Sequence, residues 1–206
     1  MCTDPPAVLS MAQAFLNPRL LVANRHHTLC IDDRIPKDKG AVYAWGGGEP
    51  DWSAQDESLV DAKKFAVLVS PSKGDADGSG SSGRPMLLHH LGLGEATTTV
   101  PIPRPRVVGG LTEVRIVEVS AGLSHTLLRS HGGDVYSCGI GLHGQLGHGT
   151  QEYVSTPKFI EARAHGGLQL DRHGRAVMVS AGRDHSLVLT EQGFVYSFGS
   201  GTNGRH

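Results

Sequence analysis

Apolar and polar residues alternate along this chain in short runs, and glycine closes each run. Val135-Tyr136-Ser137-Cys138 and Val195-Tyr196-Ser197-Phe198 enter from Gly133 and Gly193 and leave through Gly139 and Gly199. Short β-branched and aromatic runs bounded by glycine predict β-strands. Val114 to Val119 and Ala176 to Val179 predict another strand in each set, and Thr126 to Leu128 and Ser186 to Leu189 a further one. His131-Gly132-Gly133 and Glu191-Gln192-Gly193 separate the last two strands of each set, and connections of that length suit hairpins. No window carries a helical period over a helix-sized length; Ser10 to Leu16 comes nearest and is short.

These strands belong to a repeat. Ser120-Ala121-Gly122-Leu123-Ser124-His125-Thr126-Leu127 recurs as Ser180-Ala181-Gly182-Arg183-Asp184-His185-Ser186-Leu187, and more faintly as Val22-Ala23-Asn24-Arg25-His26-His27-Thr28-Leu29. Each copy is followed by a second phrase, ending in Gly139, Gly199 or Gly46. His125 to Gly139 and His185 to Gly199 both span 14 residues, whereas His27 to Gly46 spans 19. A period of 60 with matched internal spacing predicts stacked supersecondary units. Three or four short strands per unit make those units β-propeller blades, so the fold class is all-β. Glycine at the repeat-equivalent positions Gly122 and Gly182, and Gly139 and Gly199, meets either a positive φ or a crowded backbone.

The phrases Ala-Gly-x-x-His-Thr/Ser-Leu and Val-Tyr-x-aromatic-Gly are followed by Gly141-Leu142-His143-Gly144-Gln145-Leu146-Gly147-His148-Gly149 and by Thr156-Pro157. Together they resemble the regulator of chromosome condensation repeat. The likeness covers roughly 20–46 and 91–206. It implies a seven-bladed propeller, of which this chain holds about two complete blades and the edges of two others. The first copy departs from the pattern: Asn24 replaces the glycine, and Gly47-Gly48-Glu49-Pro50 replaces the Gly-Gln-Leu turn. By this reading 1–19 is an N-terminal segment, and 20–46 holds the end of one blade and the start of the first repeat. An insertion fills 47–90, the first repeat resumes over 91–132, the second occupies 133–192, and a truncated third occupies 193–206. The chain is expected to be the N-terminal part of a larger propeller or a shortened version of one. Self-association through open blade edges is the third option.

The insertion contains a polar start (Asp51 to Ser58), the strand-like Phe65 to Val69 behind Lys63-Lys64, and a low-complexity run from Ser72 to Gly83. Insertions in repeat folds map to loops on one face, where partners bind. Asp51, Trp52, Lys63, Lys64 and Phe65 are therefore candidates for a partner-binding loop, against the alternative of a linker without function. Deleting Ser72 to Gly83 is expected to leave the melting temperature unchanged, which thermal unfolding checks.

No residue set nominates chemistry. His27, His125 and His185 recur at one repeat position, so they are expected to be structural, hydrogen-bonding neighbouring backbone. The same holds for Gly46, Gly122, Gly139, Gly144, Gly147, Gly182 and Gly199 as repeat residues. No Cys-x-x-Cys or His-Glu-x-x-His spacing exists, and no catalytic, cofactor-binding or metal residue is assigned. Asp75-x-Asp77-x-Ser79-Gly80 opens like a calcium loop, but the position that needs a bidentate carboxylate holds Met86. Cys138 stands in the slot of Trp45 and Phe198 and reads as a small core residue.

A net charge of −1 disfavours a general nucleic-acid or anionic-membrane binder. Three scattered cysteines suit a reducing compartment, so cytosol or nucleus is expected. The resemblance implies a non-catalytic protein-interaction module. Guanine nucleotide exchange on a small Ran-like GTPase is the alternative, and a hydrolase or metalloenzyme a remote third.

Overall fold

The computed structural model describes residues 18–23, 27–32, 40–46, 102–161 and 168–201. Strands β1 (Pro18–Ala23), β2 (His27–Asp32), β3 (Ala41–Gly46) and β4 (Ile102–Val107) form one antiparallel meander. Strands β5 (Ile116–Ala121), β6 (His125–Ser130), β7 (Val135–Ile140) and β8 (Tyr153–Phe159) form a second, and β9 (Ala176–Ala181), β10 (His185–Thr190) and β11 (Val195–Gly199) a third with three strands. These are partial propeller blades, called here blades one, two and three.

The spacing of 14 residues is a hairpin register. His125 pairs with Gly139 and His185 with Gly199, and in blade one His27 pairs with Gly46. The five extra residues of the first copy therefore fall between Asp32 and Ala41, leaving the strands in step. The turns of blades two and three are built alike. Gly133 N–H donates to Ser130 C=O at 3.0 Å and Gly193 N–H to Thr190 C=O at 2.9 Å, with φ of 89° and 85° at the two glycines. A turn ended by a left-handed glycine matches the twist of the flanking strands.

The core lies between blades. Leu127 and Leu128 are neighbours on β6, and the two-residue period of a strand sends them to opposite faces. Leu128 packs with Leu29, Ile31, Val42, Ile116 and Val119 between blades one and two. Leu127 packs with Val135, Ile160, Val179 and Val188 between blades two and three. Covered on both sides, β6 buries every residue but Arg129.

Strands β1, β2 and β3 are hydrogen-bonded neighbours in a single sheet, which β4 completes. Blade one thus breaks between its third and fourth strands, over 47–101, where blade two has only 141–152. The connection from β8 to β9 also carries one helical turn, α1 (Leu170–His173), closed by Gly174 at φ 76°. A single turn is too short to show a helical period. The stretch from Ser10 to Leu16 lies outside the described residues. Among the described residues no helix is long and apolar enough to cross a membrane.

Candidate interaction surface and the latch between blades

The corner Ala-Gly-x-x-His joins β5 to β6 and β9 to β10, and both copies are tied in the same way. Gly122 N–H donates to His125 C=O at 2.8 Å, and Gly182 N–H to His185 C=O at 2.9 Å. Ser124 C=O accepts from Ile140 N–H and Asp184 C=O from Ser200 N–H, each at 2.8 Å. The backbone of the corner is therefore fixed twice, while its two middle side chains differ: Leu123 and Ser124 in blade two, Arg183 and Asp184 in blade three. Arg183 stands exposed and pairs with Asp184 at 3.2 Å.

The glycines of the repeat answer two different demands. Gly139, Gly199 and Gly46 sit at φ of 110°, 117° and 105°, where an L side chain is strained. Gly122 and Gly182 have no such φ. There the ring of the following histidine lies against the glycine: a Cβ on Gly122 would meet His125 Cε1 at 2.4 Å, and one on Gly182 would meet His185 Cε1 at 2.1 Å. Crowding requires glycine at that corner, whatever its backbone angle.

His125 is fully buried, and its Nε2 lies 2.9 Å from Ser186 Oγ on blade three. Its partner is thus a hydroxyl of the next blade, where neighbouring backbone was expected. Ser186 Oγ donates its one proton to Gln145 C=O at 2.7 Å. The serine must then accept from the imidazole, so the hydrogen of His125 is on Nε2. Its Nδ1 is a bare acceptor with no partner. This Ser–His pair resembles a hydrolytic dyad and is the reverse of one: the histidine holds a proton toward the serine and cannot take one from it. Burial holds the imidazole neutral and pushes its pKa down to about 4, with His185 nearby adding to the effect.

The glycine-rich turn after β7 is fastened by the same chemistry. Ser137 Oγ donates to Leu146 C=O at 2.7 Å and lies 3.0 Å from His148 Nε2, while His143 N–H donates to Gln145 Oε1 at 2.8 Å. Gly144 and Gly147 take φ of 79° and 75°. A Cβ on Gly147 would approach Phe198 of blade three at 3.0 Å, so this turn packs against the next blade. Two acceptors on β5 complete the joint: Glu118 Oε1 receives Val179 N–H at 3.2 Å and Ser120 Oγ receives Ala181 N–H at 2.9 Å.

The structure thus brings His125, Gly122 and Gly147 to the junction of blades two and three, while a Cβ on Gly144 would meet nothing within 4 Å. His27 is buried at the matching place in blade one. Trp45, Cys138 and Phe198 hold one register position, opposite Thr28, Thr126 and Ser186. Cys138 is buried and its thiol is pushed up to about 12 by desolvation. Asp51, Trp52, Lys63, Lys64 and Phe65 lie outside the described residues. Ser186, Gln145, Glu118 and Ser120 were not singled out from the sequence. The hydroxyl that follows the histidine in every copy (Thr28, Thr126, Ser186) was the available signal for the first of them.

The signature of the regulator of chromosome condensation (RCC1) repeat matches residues 132–189, and a second signature of that repeat matches 116–145 and 177–205. The chain is 31% identical over 191 residues to the human E3 ubiquitin-protein ligase HERC2, covering 82% of this chain and 4% of the ligase. It is 34% identical over 139 residues to the mouse RCC1 domain-containing protein 1, covering 67% of this chain and 34% of that protein. It therefore spans about a third of one of these relatives and far less of the other. The crystal structure of Prp20p from Saccharomyces cerevisiae superposes with a TM-score of 0.54 at 18% identity, covering 89% of this chain and 33% of that one. The blade meanders, the fixed Ala-Gly-x-x-His corners and these matches together place the chain among the RCC1-like repeat proteins.

Proposed function

We propose that this chain is a non-catalytic protein-interaction module whose contacts are made by the blade corners. The observation that carries this is the contrast at each corner: a backbone held by repeated hydrogen bonds presents side chains that change from Leu123-Ser124 to Arg183-Asp184. A rigid frame with variable tips offers specificity at low ordering cost. The insertion residues Asp51, Trp52, Lys63, Lys64 and Phe65 are the second half of the proposed surface. The test compares partners captured by the wild-type chain with those captured by Arg183→Glu and Leu123→Ser. A specific partner lost by the corner variants, at unchanged melting temperature, is expected. Identical capture by all three would refute the corners as the binding surface.

A second reading makes this chain part of an exchange factor for a small Ran-like GTPase; it rests on the repeat-family likeness, beside Prp20p, whose structure was described together with its binding to Gsp1p and histones. Stimulated release of labelled GDP across a panel of Ran-like GTPases would support it, and unchanged release across the panel would remove it.

A further inference from the structure

Blades stack face to face, so each sheet keeps two edges, and the structure treats the two differently. At the inner edge β5 lies against β1 and β9, and side chains of the neighbouring blade take up the backbone groups there. Glu118 Oε1 and Ser120 Oγ receive the N–H groups of Val179 and Ala181 on β9, and Arg19 Nη2 donates to Val117 C=O on β5 at 3.2 Å. At the outer edge β4 and β8 stand last in their sheets. Blade two has blade one on one face and blade three on the other. A blade added to either end of the arc therefore cannot reach the edge of β8.

Hydrogen bonds fix which backbone groups point out from that rim. Ile160 N–H donates to Val135 C=O at 2.9 Å, and Val108 N–H to Val42 C=O at 2.8 Å. Alternate residues of a strand aim their N–H groups to opposite sides, so Lys158 shares the inward direction of Ile160, and Arg106 that of Val108. The outward positions are then 157 and 159 on β8, and 105 and 107 on β4. Proline occupies the first of each pair, and Pro157 and Pro105 are equivalent: Phe159 pairs with Tyr136 and Val107 with Tyr43, the tyrosines of the repeated Val-Tyr phrase. Proline has no N–H to donate, and at an outward position its ring costs the sheet no hydrogen bond. An exposed cation follows each, Lys158 and Arg106. At blade two the acceptor is screened too, since a Cβ on Gly110 would stand 3.4 Å from Pro157 C=O. Phe159 beside it is 39% exposed, and an apolar residue on an unpaired strand invites a further strand.

We propose that Pro157 with Lys158, and Pro105 with Arg106, close the rim to strand addition by a second copy of this chain. Two copies meeting edge to edge would lay β8 along β8, and each would find a donor missing from the middle of the other's ladder. The charged side chain next to each proline then faces its own like across the gap. Phe159 stays exposed on the rim without drawing a strand onto it. This goes beyond the corner contacts proposed above and does not depend on them.

The experiment restores the edge in the whole 206-residue chain: Pro157→Val with Lys158→Thr, and separately Pro105→Val with Arg106→Thr. Sedimentation equilibrium and amide hydrogen exchange are compared with wild type at equal concentrations. Each variant is expected to self-associate about thirty-fold more tightly than wild type, since a pair of copies regains a backbone hydrogen bond from each partner. New amide protection should be confined to the restored edge, at 157 and 159 or at 105 and 107. Adding Phe159→Lys to the first variant should return it to wild-type mass, because a charge on the edge opposes pairing. That step separates edge pairing from association through a loosened fold. Masses equal to wild type would overturn the proposal, and so would protection that appears elsewhere or association that survives Phe159→Lys.

Discussion

Replacing Gly122 by alanine should lower the melting temperature by about 10 °C, on the order of 3 kcal/mol of overpacking in a chain of this size. The added Cβ would stand 2.4 Å from His125 Cε1 and 2.6 Å from Gly182 C=O, so it meets both its own corner and the backbone of the next blade. Neither can yield: the histidine is held by Ser186, and the carbonyl belongs to a corner tied by its own hydrogen bonds. Gly182→Ala should cost roughly half as much. The three atoms its Cβ would meet first all belong to the ring of His185, which is half-buried where His125 is sealed. Gly109→Ala is the control, since a Cβ there meets nothing within 4 Å and φ is ordinary. Differential scanning calorimetry of the three variants ranks them. Equal melting of Gly122→Ala and Gly109→Ala would contradict the crowded corner.

Acid should loosen the joint between blades two and three. His125 in the fold resists protonation until about pH 4, whereas the unfolded chain takes up the proton near the ordinary imidazole value of 6.5. Between these values the unfolded state binds more protons, so stability falls as pH falls. The slope attributable to this residue is about 1.4 kcal/mol per pH unit, amounting to about 3 kcal/mol by pH 4. Above pH 6.5 the imidazole is neutral in both states and contributes no pH dependence. Urea unfolding at successive pH values should show this loss for the wild type. His125→Gln keeps an N–H donor toward Ser186 and cannot titrate, so its curve should be flatter by the same amount. Parallel curves for the two proteins would mean that the ring is protonated in the fold.

Much of the architecture was legible along the chain because strands and hairpins are local. The interval from His125 to Gly139 is a register, and the same register returns at His185 and Gly199. Glycine at the turns follows from backbone angles that a hairpin imposes wherever it occurs. The pairing of β3 with β4 was not legible, because 47–101 separates them and pairing across such a gap leaves no periodic trace. The recurrence of the histidine was legible, but its partner was not. Ser186 is 61 residues from His125, and only the stacking of two sheets brings them within 2.9 Å.

The sequence by itself determined the repeated strands, their turns, the period of 60, the all-β class and the membership in a repeat family, since each depends on contacts between near neighbours. The tertiary structure decided which faces are covered. Leu127 and Leu187 are the same residue at the same repeat position, and one is sealed while the other is partly open. It also decided that Gly122 is needed for space rather than for its backbone angle, and that a Ser–His pair is a latch with its proton on the wrong atom for catalysis. Those properties belong to surfaces meeting across a fold, where the local pattern of a strand carries no information about what lies opposite.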